Sequence, residues 1–69
     1  MKRKASPKQD ETLEHIRAFL AVKGYAPTVA ELAAVAGVNQ FAVQQRLDTL
    51  VTKGHIKRDA KVARSIRLL

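Results

Sequence analysis

The 69-residue sequence predicts a mainly α fold with one small β-hairpin, and three observations carry the prediction. Two stretches, SPKQ at 6–9 and TVAE at 28–31, have the form of capping boxes that open helices. Gly24, Gly37 and Gly54 each follow an apolar-periodic segment, where a helix is expected to stop. Beyond Gly54 the helical period is lost, and Ile56, Ile66 and Leu68 are the apolar residues available to a pair of short strands.

The first helix, about 7–23, starts from Ser6 as cap, Pro7 at the first helical position and Gln9 as the reciprocal capping residue. Leu13, Ile16 and Leu20 recur on one face, with Phe19 beside them. Tyr25-Ala26-Pro27 is a short extended link, because the residue before proline avoids the helical region. The second helix, about 29–36, is capped by Thr28 and Glu31 and buries Val29, Leu32, Ala33 and Ala36. The third, about 40–53, opens at Asn39, with Val38 and Val43 placed for a hydrophobic staple. Its inward stripe is Val43, Leu47, Leu50 and Val51. The hairpin spans about 55–69, with Asp59 to Ala63 as a turn that lacks the Gly or Asn of a tight connection. Residues 1–5 are expected to be a flexible basic arm, and 6–69 one domain.

Composition narrows the function classes. The chain is near the lower size limit for a single self-sufficient core and has no cysteine, so neither a disulfide nor a thiolate metal site assists it. His15 and His55 are far apart, without a second ligand at metal spacing. No nucleophile–base pair, carboxylate pair or Gly-rich phosphate loop is present, so an enzyme is not expected, nor a cofactor or small-molecule ligand. No apolar run approaches the roughly 18 residues of a membrane span. No apolar signal segment follows the basic start. A soluble cytoplasmic protein is the expectation.

Charge supplies the functional direction. Thirteen Lys and Arg face six Asp and Glu, a net +7. The excess sits at the two ends: Lys2, Arg3, Lys4 and Lys8 precede a slightly acidic middle, and Lys53, Lys57, Arg58, Lys61, Arg64 and Arg67 follow it with Asp59 as the one acid. Such a distribution suits a polyanion, most simply nucleic acid.

Helices two and three carry the spacing Ala33–x3–Gly37–x5–Val43. Two short helices crossing steeply need a small residue where their backbones approach, a turn residue free to adopt positive φ, and a branched apolar side chain to fill the angle. Ala33, Gly37 and Val43 meet those needs, so the fold class becomes a three-helix winged helix-turn-helix.

The stretches GYAPTVAELA (24–33), LDTLVTKGHI (47–56) and ARSIRLL (63–69) resemble the winged-helix DNA-binding domain of the bacterial SOS repressor family LexA. The resemblance covers the chain from about Ser6 to Leu69 and implies three helices, a two-strand wing and operator binding. Two departures stand out. The turn from Gly37 into the third helix is one residue shorter than the family's, and the family's base-reading residues are replaced between Asn39 and Gln45. LexA's operator sequence therefore does not carry over. The family's self-cleaving Ser-Lys domain, which provides most of its dimerisation, has no counterpart in these residues.

With Val43 inward, helical geometry turns Phe41, Gln45 and Asp48 outward, with Gln44 at the flank. In a helix-turn-helix that outer side, near the helix start, enters the major groove. Glutamine can pair with adenine in two hydrogen bonds, and phenylalanine can touch a thymine methyl. Asn39, Gln40, Phe41, Gln44 and Gln45 are thus the candidate base readers, Asn39 and Gln40 also lying where a helix start holds a phosphate. Phe41 suits equally a fold-back over helix one or a dimer contact. Thr28, Arg46, Lys57, Arg58, Lys61 and Arg64 are the backbone or minor-groove candidates, and Lys2, Arg3 and Lys4 form the arm. Thr28 has capping alone as its other role, and Arg46 an internal ion pair. The expected partner is double-stranded DNA, bound by a small transcriptional regulator acting as repressor, with a weak homodimer or paired copies on one site. A protein-interaction module using Phe41, a structured-RNA binder and a non-specific architectural binder remain the alternatives.

Overall fold

A computed structural model of the chain describes residues 2–59 and 61–69. Met1 of the expected arm and Ala60 of the expected wing turn lie outside the described residues. Three helices are followed by a two-stranded antiparallel hairpin: α1 is Pro7–Lys23, α2 Val29–Ala36, α3 Gln40–Thr52, β1 Ile56–Lys57 and β2 Arg67–Leu68. Ile56 pairs with Leu68, and Lys57 with Arg67. This is the winged helix-turn-helix architecture.

The helix starts have local causes. At α1 the Gln9 N–H donates to Ser6 Oγ, and Gln9 Oε1 accepts from the Ser6 N–H. At α2 the Glu31 N–H donates to Thr28 Oγ1 and the Thr28 N–H returns to Glu31 Oε1. Each box satisfies two donors that a helix start leaves without partners. Asn39 Oδ1 caps α3 by accepting from the Ala42 N–H at 2.8 Å. Between α2 and α3, Gly37 takes φ 69°, and its N–H and that of Val38 both donate to the Ala33 carbonyl. Helix two therefore stops within one residue and the chain turns directly into α3.

Ile16, Leu47, Leu50, Ile56 and Val43 are the most deeply buried large side chains, and Leu13, Leu32, Ala33 and Ile66 close the core around them. Val51 departs from the expected stripe, being 40% exposed. It lies about 80° around the helix from Val43, at the edge of the arc that Val43, Leu47 and Leu50 occupy. Thr12 is buried without being anticipated, its hydroxyl donating to the Lys8 carbonyl.

The N-terminal segment, expected to be a flexible arm, meets the C-terminal end of α3 and the end of the hairpin. The Arg3 N–H donates to the Lys53 carbonyl at 2.9 Å, His55 Nε2 donates to the Arg3 carbonyl, and Ala5 is buried. The Lys2 ammonium meets the main-chain oxygen of Leu69. Of this segment only Ala5 enters the core, while Arg3 and Lys4 stay exposed.

Candidate nucleic-acid interface

Helix α3 presents its first two turns to solvent. Asn39, Gln40, Gln44 and Gln45 are exposed, and Phe41 keeps 69% of its surface in contact with water. The fold-back of Phe41 over α1 is therefore not what the chain does. Phe41 thus stands exposed among four amides on the outer ridge of α3.

On one flank of that ridge lies a groove formed by the start of α2, Gln40 and the wing. The wing's shape comes from Asp59: its Oδ1 accepts from the Lys61 N–H, its carbonyl accepts from Ser65 Oγ at 2.7 Å, and its own N–H donates to that hydroxyl. Arg64 supplies the left-handed residue, with φ 57°. The absence of Gly or Asn from this turn is resolved in that way.

Arg64 is held against α2. Its Nη1 lies 2.8 Å from Glu31 Oε1, Nη2 lies 3.3 Å from Oε2, and Nη1 also donates to the Ala26 carbonyl. The guanidinium sits 4.5 Å from the centroid of the Tyr25 ring, which meets Phe19 edge-on at 5.8 Å. The Thr28 N–H and, after it, the Arg64 guanidinium hold the Glu31 carboxyl below its ordinary range. Thr28 and Arg64, both read from sequence as backbone contacts, converge on Glu31. Thr28 carries the capping role, and Arg64 fastens the wing.

Arg58 is similarly engaged. Its guanidinium lies 3.3 Å from Asp48 Oδ1, with only 11% of the side chain exposed. Asp48, which the sequence placed on the DNA side of α3, thereby meets the wing while staying exposed. Lys61 and Lys57 remain exposed, Lys57 standing opposite Arg67 on the outer face of the hairpin. On the other flank of the α3 ridge, Arg46 is half-buried beside the first turn of α1. Arg3 is held by Lys53, about 20 Å along the axis from the start of α3, and Lys2 by Leu69. Lys4 is exposed next to them.

Among the described residues no three His, Asp or Glu side chains gather as a metal cage, and no helix is long and apolar enough to cross a membrane. The first turns of α3 and their flanks offer amides, Phe41 and cations.

The family model for the LexA DNA binding domain matches residues 2–65. The chain belongs to the LexA DNA-binding-domain family. It is 39% identical over 61 residues to a LexA repressor of Oleidesulfovibrio alaskensis, a match covering 88% of this chain and 30% of that protein. A LexA repressor of Caldicellulosiruptor saccharolyticus is 36% identical over 70 residues, covering all of this chain and 35% of the relative. One from Exiguobacterium sibiricum is 38% identical over 68 residues, 97% of this chain and 33% of the relative. The chain spans about a third of the length of these LexA relatives.

Sequence reasoning passed over two features of the interface. The Glu31–Arg64 tie was hidden because Glu31 already had a complete role in its capping box. The approach of Lys8 to α3 depends on how α1 crosses α3, which local periodicity does not state.

Proposed function

We propose that this chain is a sequence-specific duplex DNA-binding protein that represses transcription by occupying its site. Helix α3 enters the major groove, with Phe41, Gln44 and Gln45 at base edges and Asn39 and Gln40 at the groove wall. Lys61 and Lys57 of the wing face the phosphates. The observation that carries this reading is the unpartnered Phe41–Gln44–Gln45 ridge of α3, in a chain whose LexA relatives are named repressors. The ridge has the width of one helix, about 10–12 Å, and the major groove of B-DNA is about 12 Å wide. One such unit has limited contact area, so two copies on a repeated or inverted site would raise specificity to a useful level.

Titrating a labelled mixed-sequence duplex with the chain at several salt concentrations tests the reading. Association should weaken linearly in log–log form, with a slope of about −0.9 for each phosphate neutralised. Retention independent of salt, or none at low salt, would move Phe41 to a protein partner, where an exposed aromatic serves as an anchor.

A further inference from the structure

The α3 ridge has a second flank, away from the wing. There the first turn of α1 and the middle of α3 enclose an open groove lined by Ser6, Lys8, Gln9, Gln45, Arg46 and Thr49, without an acidic side chain. Gln9 Oε1 also holds the Lys53 ammonium at 2.7 Å, bringing a third cation to the same turn of α1.

The two flanks differ in how much of their charge is available. On the wing side, Arg58 is paired with Asp48 and Arg64 with Glu31, leaving Lys61 as the unengaged cation of that groove. On the α1 side, neither Lys8 nor Arg46 forms a salt bridge among the described residues. A helix seated in the major groove has a phosphate strand along each flank, because the groove is scarcely wider than the helix. Beside the wing, Arg58 and Arg64 are engaged by carboxylates, and Lys57 and Lys61 are the cations left to a strand there. The strand on the other side meets Lys8 and Arg46, which no carboxylate engages among the described salt bridges.

Resting on the duplex-binding reading, we propose that the groove between the start of α1 and the middle of α3 is a phosphate-strand site, with Lys8 and Arg46 as its ligands. Hydroxyls of Ser6 and Thr49 border it, and Gln45 leads from it to the base edges. The partner is the sugar–phosphate strand that borders the major groove away from the wing. Lys8 and Arg46 fix how deeply and at what angle α3 sits, without carrying sequence information themselves.

The salt-dependence test uses the full 69-residue chain and a mixed-sequence duplex, so that it does not depend on knowing a preferred site. Lys8→Gln and Arg46→Gln should each make the slope of log affinity against log salt shallower by about 1. Lys23→Gln, at the opposite end of α1, should leave it unchanged. On a duplex carrying a motif recovered by selection, which fixes register and orientation, neutral methylphosphonate linkages placed singly along each strand should weaken the parent chain at positions on the strand away from the wing. The same linkages should have little effect on Arg46→Gln. Slopes for Lys8→Gln and Arg46→Gln equal to the parent's would overturn the groove assignment while leaving duplex binding intact. An equal drop for Lys23→Gln would overturn it as well, by reducing the effect to net charge. A parent chain that binds no duplex would overturn both readings.

Discussion

Arg64 shows how much of a single residue's setting its charge leaves unsaid. A basic residue on a wing invites assignment to a phosphate, and its neighbours in the chain give no reason to doubt it. In the folded protein its guanidinium is occupied by Glu31, Ala26 and Tyr25, residues 33 to 39 positions earlier, and its backbone adopts a left-handed conformation that an L residue takes only under constraint. Removing it should therefore act on the wing's position. Arg64→Ala is expected to lower the thermal midpoint and speed amide exchange at Ser65–Leu68, and Glu31→Gln should reproduce the exchange effect. The Glu31 carboxyl is held below its ordinary range by the Thr28 N–H and then by Arg64. A depressed value means that its contribution is fully present above the ordinary carboxylate range and lost as pH falls through the lower, folded value. Wing protection factors, which remove the intrinsic pH dependence of amide exchange, should accordingly fall on acidification in the parent, and Glu31→Gln should lack that dependence. Phe41 and Gln44 belong to this scale too. Phe41→Ala or Gln44→Ala should relax sequence preference by roughly tenfold, about 1–2 kcal/mol per base contact. Competition binding with matched and mismatched duplexes measures this, and equal losses on every duplex would contradict base readout.

At the scale of elements, what could be read from sequence was what local chemistry decides. Ser6 with Gln9 and Thr28 with Glu31 close their hydrogen bonds within four residues, so the helix starts follow from the residues alone. The Ala33, Gly37 and Val43 spacing is similarly local, and the structure gives each the role its size suggests: Ala33 and Val43 buried, Gly37 left-handed. Gly37→Ala should destabilise the domain by about 1 kcal/mol in denaturant titration. A Cβ there would meet no atom within 4 Å, so the loss is one of backbone conformation. Gly37→Asn should cost less, because asparagine tolerates that region. Leu47 is fully buried where α3 faces the core. Leu47→Ala should lose about 2–5 kcal/mol, comparable to the entire stability of a core this small, and should leave much of the chain unfolded at room temperature by circular dichroism. The seated residues 3–5 and the Arg58–Asp48 tie were not legible. They depend on which ends of the helices meet, a matter of crossing angle that periodicity does not encode.

Across the whole molecule, the basic surplus of +7 divides into cations spent on the fold and cations left at the surface. Arg58 and Arg64 are spent on the wing, while Lys8, Arg46, Lys57 and Lys61 border the α3 ridge or the wing's outer face without a carboxylate partner among the described salt bridges. Net charge in the sequence pointed to a polyanion correctly in sign, but it could not separate the two groups. The separation gives α3 a wing-side flank and an α1-side flank, and an exposed aromatic and amide ridge between them. The central claim is that this ridge reads base sequence. Selection of bound duplexes from a random DNA pool, at about 150 mM salt where non-specific binding is already weakened, tests it most directly. Enrichment of a short motif is the predicted result, and its recurrence as paired half-sites would show that two copies act together. Retention of duplexes with no enriched motif would contradict base readout by α3.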